Sequence, residues 1–325
     1  MLPNSLRRCF VIGSFVLAFA TLAGCGRAGN ESGADDSNPR PGAGVTIAAI
    51  PSAATKNTTR VWANSPAGVA ASAARAVYPS TRPSQRPLAV VLADSAIWQA
   101  TIAGAVLMAA PLHAPMLLSE GSQLPPETQS ALSALSPTGA GKDGPQVIRL
   151  GAAVSPTSLK SLSIGGDDPF TLAARVDAYQ ARVSGRWSTA VVIASSESPA
   201  MAMPAAAWAA KSGDSVLFSG RDQLPAVTAA AIKAHGKPKI YILGPSSVIS
   251  EKVAGQLAAL GEVTRVGAKP ASANAIAFAR FRDGDFGWGI VDPGHGLVFT
   301  NVDKPLTAGG AAPLCSLLTP LCSSV

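Results

Sequence analysis

Three stretches of this chain follow one pattern, and their spacing limits the fold more than any other feature. Arg60 to Ala71 reads RVWANSPAGVAA, Ser163 to Ala174 reads SIGGDDPFTLAA, and Arg265 to Ile276 reads RVGAKPASANAI. Each is a short apolar start, a polar turn with Pro, then an Ala-rich helical run. The starts lie 103 and 102 residues apart. A recurring unit is expected to bury its apolar faces against its neighbouring copies. Continuous apolar runs follow at Ala89 to Asp94, Ala190 to Ser195 and Trp288 to Asp292. Unbroken runs of this kind suit parallel strands buried on both faces.

In the first two copies the sequence predicts helices over Gln99 to Leu112 and Met201 to Lys211, then strands over Pro115 to Ser119 and Ser215 to Ser219. The strongest internal match is QLPPET at Gln123 to Thr128 against QLPAVT at Gln223 to Thr228, offset by 100 residues. Pro in the first turn predicts helices running to Leu135 and Ala234. Strands over Val147 to Gly151 and Ile240 to Gly244 close each unit, followed by helix starts at Val154 to Pro156 and Val248 to Glu251. The alternation is that of an α/β layer architecture. The third copy is truncated. Gly309 to Leu314 (GGAAPL) aligns with His113 to Met116 (HAPM), and the QLPxxT helix and final strand are missing.

The N-terminus carries an address. Arg7 and Arg8 precede an uncharged apolar run that ends in Leu22, Ala23, Gly24 and Cys25. A basic n-region and a short apolar h-region read as a secretory signal. The Leu-Ala-Gly-Cys end reads as a lipobox, with the Cys25 thiol accepting a diacylglyceryl group. Arg7 and Arg8 before Cys9, Phe10 and Val11 also fit a twin-arginine signal. From Gly26 to about Thr58, Gly, Ser, Asn, Pro and Asp dominate, a composition that reads as a flexible tether, with a short strand at Val45 to Ile50. The resulting division is a lipoprotein signal peptide over 1–24, a tether over 25–58, repeats over 59–162 and 163–263, and a truncated repeat over 264–325.

Arg60-Val61, Arg265-Val266-Gly267, Val90 to Ala93, Val191 to Ser195, Ala114 to Ser119 and Leu243-Gly244 together resemble the cell wall-binding repeat 2 family. The resemblance spans roughly residues 60 to 314. It implies Toprim-like α/β modules, three of which pack around a pseudo-threefold axis, and non-covalent binding to an anionic polymer of the cell wall. It also implies a polymer groove near Pro115, Met116, Leu117 and Leu118, with Val216, Leu217 and Phe218 in the second copy. The family's R-Y-x-T-A element is replaced around Asn64 and Asp167, and its F-x-D-A-L element by Trp98 to Ile102 and Met203 to Ala207.

The remaining chemistry points away from catalysis. The chain of 325 residues holds 3 His and 4 Cys, and only 14% of it is charged. His113 and His235 close Ala-rich helices, where a His caps the dipole. Asp292 to His295 reads as a turn. Asp167 and Asp168 read as a helix cap. No Cys or His pair has zinc spacing, so no metal or other cofactor is expected. The net charge of +7, with a pI of about 9.5, favours anionic partners. It falls to +5 on removal of residues 1–24, which contain Arg7 and Arg8 and no acid. Arg175, Arg221 and Arg265 are candidate polymer contacts, because a guanidinium holds carboxylate or phosphate bidentately. Nucleic acid is not an expected partner of an exported chain. Cys315 and Cys322 would close a small loop if oxidised. The truncated repeat leaves a sheet edge open to self-association. A solute-binding lipoprotein would share the lipobox and tether but predicts two lobes and a hinge. An envelope hydrolase needs an acid or His cluster that the sequence lacks.

Overall fold

The structure is a computed structural model. It describes residues 52–54, 59–61, 63–141, 144–291, 297–314 and 323–324. The signal peptide, Cys25, Asp292 to His295, and the Cys315 and Cys322 pair lie outside the described residues. Near the end of the stretch read as a tether, β1 (Ser52–Ala54) pairs antiparallel with β2 (Thr59–Val61), which opens the first repeat.

The first unit begins with α1 (Pro66–Val77) and a 3-10 turn at Pro83–Gln85. There follow β3 (Val90–Asp94), α2 (Trp98–Gly104), β4 (Met116–Ser119), α3 (Pro126–Leu135), β5 (Val147–Leu150) and β6 (Ser161–Ile164). The second unit runs α4 (Pro169–Ser184), β7 (Ala190–Ser195), α5 (Pro199–Ser212), β8 (Ser215–Ser219), α6 (Ala226–Ala234), β9 (Lys239–Leu243), α7 (Glu251–Ala258) and β10 (Glu262–Val266). Each unit forms a four-stranded sheet of parallel strands, in the orders β4-β3-β5-β6 and β8-β7-β9-β10. The duplication read in the sequence is thus a duplication of sheet topology. The Ser163 and Arg265 repeat starts are the last strands, β6 and β10, of the sheets they follow.

Alternation explains the unbroken apolar strands. Val91 and Ala93 of β3 join the main core, which runs through both units, while Val90 and Leu92 join a second core under α1 and α3. The QLPxxT motif has a local cause. Thr128 and Thr228 are fully buried, and their Oγ1 atoms donate to the carbonyls of Leu118 at 2.6 Å and Phe218 at 2.8 Å. Each ties the first turn of α3 or α6 to the last residues of the preceding strand. The Gln closes the turn before it, with Glu120 N donating to Gln123 O at 3.0 Å and Gly220 N to Gln223 O at 3.1 Å.

The structure corrects several expectations. The helix expected over Gln99 to Leu112 is α-helical only to Gly104 and continues as a 3-10 segment, Ala105–Met108. A Cβ at Gly104 would lie 2.3 Å from Leu150 Cδ1, so this turn is pressed onto β5 and the helix tightens beyond it. No helix follows Val154 to Pro156, where the chain makes turns directly into β6. Trp288 to Asp292 was expected to be the third unit's strand, yet residues 288–291 form none. Their backbone bonds go instead to the end of α8 (Ala271–Arg280): Gly289 N donates to Phe281 O and Ile290 N to Ala279 O, both at 2.9 Å. Aromatic burial holds this segment. Phe286 stacks on Tyr241 at 3.5 Å between centroids, and Trp288 meets Trp208 edge-on at 5.4 Å.

The third unit's strand is β11 (Leu297–Val298), parallel to β12 (Ser323–Ser324) as β3 is to β4 and β7 to β8. Gly309 and Gly310, aligned above with the start of a strand, sit in α9 (Pro305–Ala311). Helices α2, α5 and α9 follow the corresponding strand in the three units, and each packs on the other two. In the same sense α1 packs on α9, α4 on α2 and α8 on α5. The glycines of α9 permit this. A Cβ at Gly309 would lie 2.6 Å from Thr101 Cβ, and one at Gly310 would lie 2.8 Å from Ala70 Cβ.

Candidate functional site

Parallel α/β sheets place ligand clefts outside the carboxyl ends of their strands, and a cleft of about 440 Å³ opens there, beyond β3. Asn64, Ser65 and Pro66 at the start of α1 form one wall. Ser95, Ala96 and Trp98 form the floor between β3 and α2, and Asp303 to Thr307 at the start of α9 close the other side. The first unit and the segment that follows α8 build it together.

Local hydrogen bonds set its shape. Ser65 caps α1, its Oγ accepting from Gly68 N at 3.0 Å. Asp94, buried at the end of β3, accepts from Ala96 N at 3.0 Å and holds the turn before Trp98. Asn301 Oδ1 accepts from Asp303 N at 2.9 Å, and Thr307 Oγ1 donates to Lys304 O at 2.6 Å. Trp98 is half-buried and meets Phe218 of the second unit edge-on, 5.8 Å between centroids. The start of α1 presents a partial positive charge, and Lys304 is an exposed cation on the opposite side. The cleft therefore combines an aromatic ring, hydroxyl and amide groups, and the cation of Lys304, with the carboxylate of Asp303 beside it and that of Glu127 accepting from Ser65 Oγ at 3.2 Å. Among the described residues no group of three or more His, Cys, Asp or Glu is placed to hold a metal ion.

The expected polymer contacts fall elsewhere. Pro115, Met116, Leu117 and Leu118 are buried, as are Val216, Leu217 and Phe218. Their side chains build the strands and present no surface to a polymer. Beta strand β4 lies under α1 and α9, and Phe218 braces Trp98, so the segments support the cleft from below. Arg175 Nη1 donates to Gly165 O at 2.8 Å. Arg265 Nη1 donates to Gly244 O at 3.1 Å, with Nη2 3.1 Å from Glu251 Oε1. Both guanidiniums tie loops together. Arg221 is exposed on the loop after β8, 3.8 Å from Asp222. None of the three lines the cleft.

Asp168 caps α4 as expected. Its carboxylate accepts from Phe170 N at 2.8 Å and Thr171 N at 2.9 Å, and the Thr171 bonds hold its pKa below the usual range. His113 lies beyond the helix, where its carbonyl accepts from the Tyr78 hydroxyl. Burial pushes that hydroxyl up to about 12. His235 does more than cap α6. Its side chain is 1% exposed, with Nε2 2.9 Å from Asp177 Oδ2 and Nδ1 2.8 Å from Ser188 O. Burial opposes its charge, but the Asp177 hydrogen bond and charge outweigh this and raise its pKa. The sequence signals for the cleft residues were the departures from the family pattern at Asn64-Ser65 and Trp98. Lys304 carries no such signal, because the apolar run at Trp288 to Asp292 places the third unit's strand upstream of it.

Residues 163–254 match the family model described as cell wall binding domain 2 (CWB2). Two solved structures share the fold. Cwp8 from Clostridium difficile aligns at 17% identity and a TM-score of 0.63 over 81% of this chain and 43% of its own. Cwp6 from Clostridium difficile aligns at 16% identity and a TM-score of 0.64 over 84% of this chain and 43% of its own. This chain thus spans less than half the length of either. No curated protein matches it. The match to cell wall binding domain 2 (CWB2) thus falls on residues 163–254, most of the second α/β unit.

Proposed function

We propose that this chain is a non-catalytic envelope protein that binds an anionic cell wall polymer in the cleft where α1, α2 and α9 begin. The CWB2 match over residues 163–254 carries the reading, supported by a first unit of the same sheet topology. In this reading the units are Toprim-like, and the cyclic packing of α1 on α9, α4 on α2 and α8 on α5 follows a pseudo-threefold axis. The Trp98 ring offers apolar surface to a sugar, while Lys304 offers a cation to its acidic groups.

Cys25 is the proposed lipid attachment site, with residues 25–58 as the tether on the extracytoplasmic face. No helix among the described residues is long and apolar enough to cross a membrane. The third unit is the proposed surface for self-association, since Ile276, Phe299 and Val302 are exposed on it.

The test is co-sedimentation of the protein with isolated cell walls across a salt series. Binding at low salt that weakens as salt rises is expected, because exposed charges are screened beyond roughly 10 Å at 0.1 M. Absence of pelleting at low salt would contradict the proposal.

A further inference from the structure

A second cleft, of about 370 Å³, lies at the opposite end of the second sheet, where β7 and β8 begin. Ala110 and Pro111 of the first unit form one lip, and α4 and the Gly213-Asp214 turn form the rest. We propose that it is a saccharide site, taking one hexose-sized ring through its hydroxyls and accepting an acidic substituent at the Arg186 rim.

The argument begins with Gln180, which lines the cleft and is 5% exposed. Its Nε2 donates to Ala110 O and to Ser184 Oγ, both at 3.0 Å. The Ala110 carbonyl only accepts, so it fixes which way the amide points. Gln180 Oε1 is then left buried with no partner. A buried acceptor in a polar cleft calls for a donor from whatever fills it.

The carboxylates point the same way. Asp214 Oδ2 accepts from Trp208 Nε1 at 2.8 Å and Oδ1 from Ser188 Oγ. Each oxygen keeps a further acceptor site. Asp177 is held by His235 behind the wall. The lining is rich in acceptors, but Asp177 is bonded by His235 and Arg186 adds an exposed cation to the lining that holds Asp214. With a cation on the same lining, the cleft is not built for a purely cationic ligand. A sugar hydroxyl donates and accepts at once and suits the Gln180, Ser184 and Asp214 set. Arg186 at the rim is placed to pair with a sugar carboxylate.

This site does not depend on wall binding, since free sugars test it directly and failure of wall co-sedimentation leaves it standing. The experiment is saturation-transfer NMR on the full chain with D-glucose, D-glucuronate and D-glucosamine. Transfer to glucose and glucuronate is expected. Arg186→Ala should weaken glucuronate about tenfold and leave glucose unchanged, as loss of one charge-assisted pair requires. Gln180→Leu should weaken both. Ala181→Trp fills the cleft without removing a hydrogen bond and should abolish both while preserving the circular dichroism spectrum. No transfer to either sugar, or transfer that survives Ala181→Trp, overturns the proposal. Glucosamine binding more tightly than glucose overturns the assignment to a neutral or acidic sugar.

Discussion

Replacing Gly309 by Ala probes the helix contact that joins the third unit to the first. The added Cβ would lie 2.6 Å from Thr101 Cβ and 2.7 Å from Thr101 O. Ordinary carbon contacts lie at about 3.5–4.0 Å, so the overlap is about 1 Å. One of the two opposing atoms is backbone, so α9 itself must shift. Overpacking of this kind costs about 1–3 kcal/mol. Ala in place of a helical Gly returns roughly 0.5–1 kcal/mol. The expected net is a loss of up to about 2.5 kcal/mol, which lowers the melting temperature by up to about 5 °C for a domain of this size. Gly255→Ala is the internal reference. Gly255 sits in α7 with nothing within 4 Å of an added Cβ. There only the propensity gain remains, and stability should rise by about 0.5–1 kcal/mol. Thermal and urea unfolding of both variants should therefore move in opposite directions. If Gly309→Ala stabilises as Gly255→Ala does, the reasoning about α9 is refuted.

Further outcomes follow from individual side chains. Thr228→Val removes the hydroxyl that reaches Phe218 O, and should cost about 1–2 kcal/mol by urea unfolding. An unchanged midpoint would mean that the QLPxxT threonine has no structural role. His235 has a folded pKa raised above its unfolded value of about 6.5. The stabilisation it contributes is full below about pH 6.5 and is lost as pH rises through the folded pKa. Urea midpoints measured from pH 6 to pH 9 should fall through that window in the wild type, and this fall should be absent in His235→Gln. A variant that keeps the wild-type slope would clear His235 of the effect.

How much was legible from sequence follows from what each residue depends on. The strands at Val90, Val147, Val191 and Ile240 and the helices after Gln123 and Gln223 are written locally, in apolar runs and in the Pro and Thr of one turn. The third unit is not. Trp288 to Val291 carries strand-forming residues, yet it serves as a cap, because Trp208 and Tyr241 offer its neighbourhood an aromatic surface. That surface lies far away in the chain and leaves no periodicity. The same error hid Gly309 and Gly310, whose meaning depends on Thr101 and Ala70 across a helix contact. For the site, the family resemblance points to Pro115 to Leu118 and Val216 to Phe218 as contacts, whereas their continuous apolar pattern is that of buried strands. The cleft draws on Asn64, Trp98 and Lys304, which only tertiary packing brings together. Arg175 and Arg265 show the limit of charge as a guide, since both are committed to backbone carbonyls.

Wall binding through the helix-start cleft is tested most directly by binding isotherms on isolated cell walls at low salt, for wild type and Lys304→Glu. Lys304 is exposed at the N-cap of α9, and its side chain makes no cap hydrogen bond, so the fold should tolerate the change. The account predicts saturable wild-type binding and an affinity at least about tenfold lower for the variant, as reversal of a contacting charge requires. Equal affinities for the two proteins would contradict it.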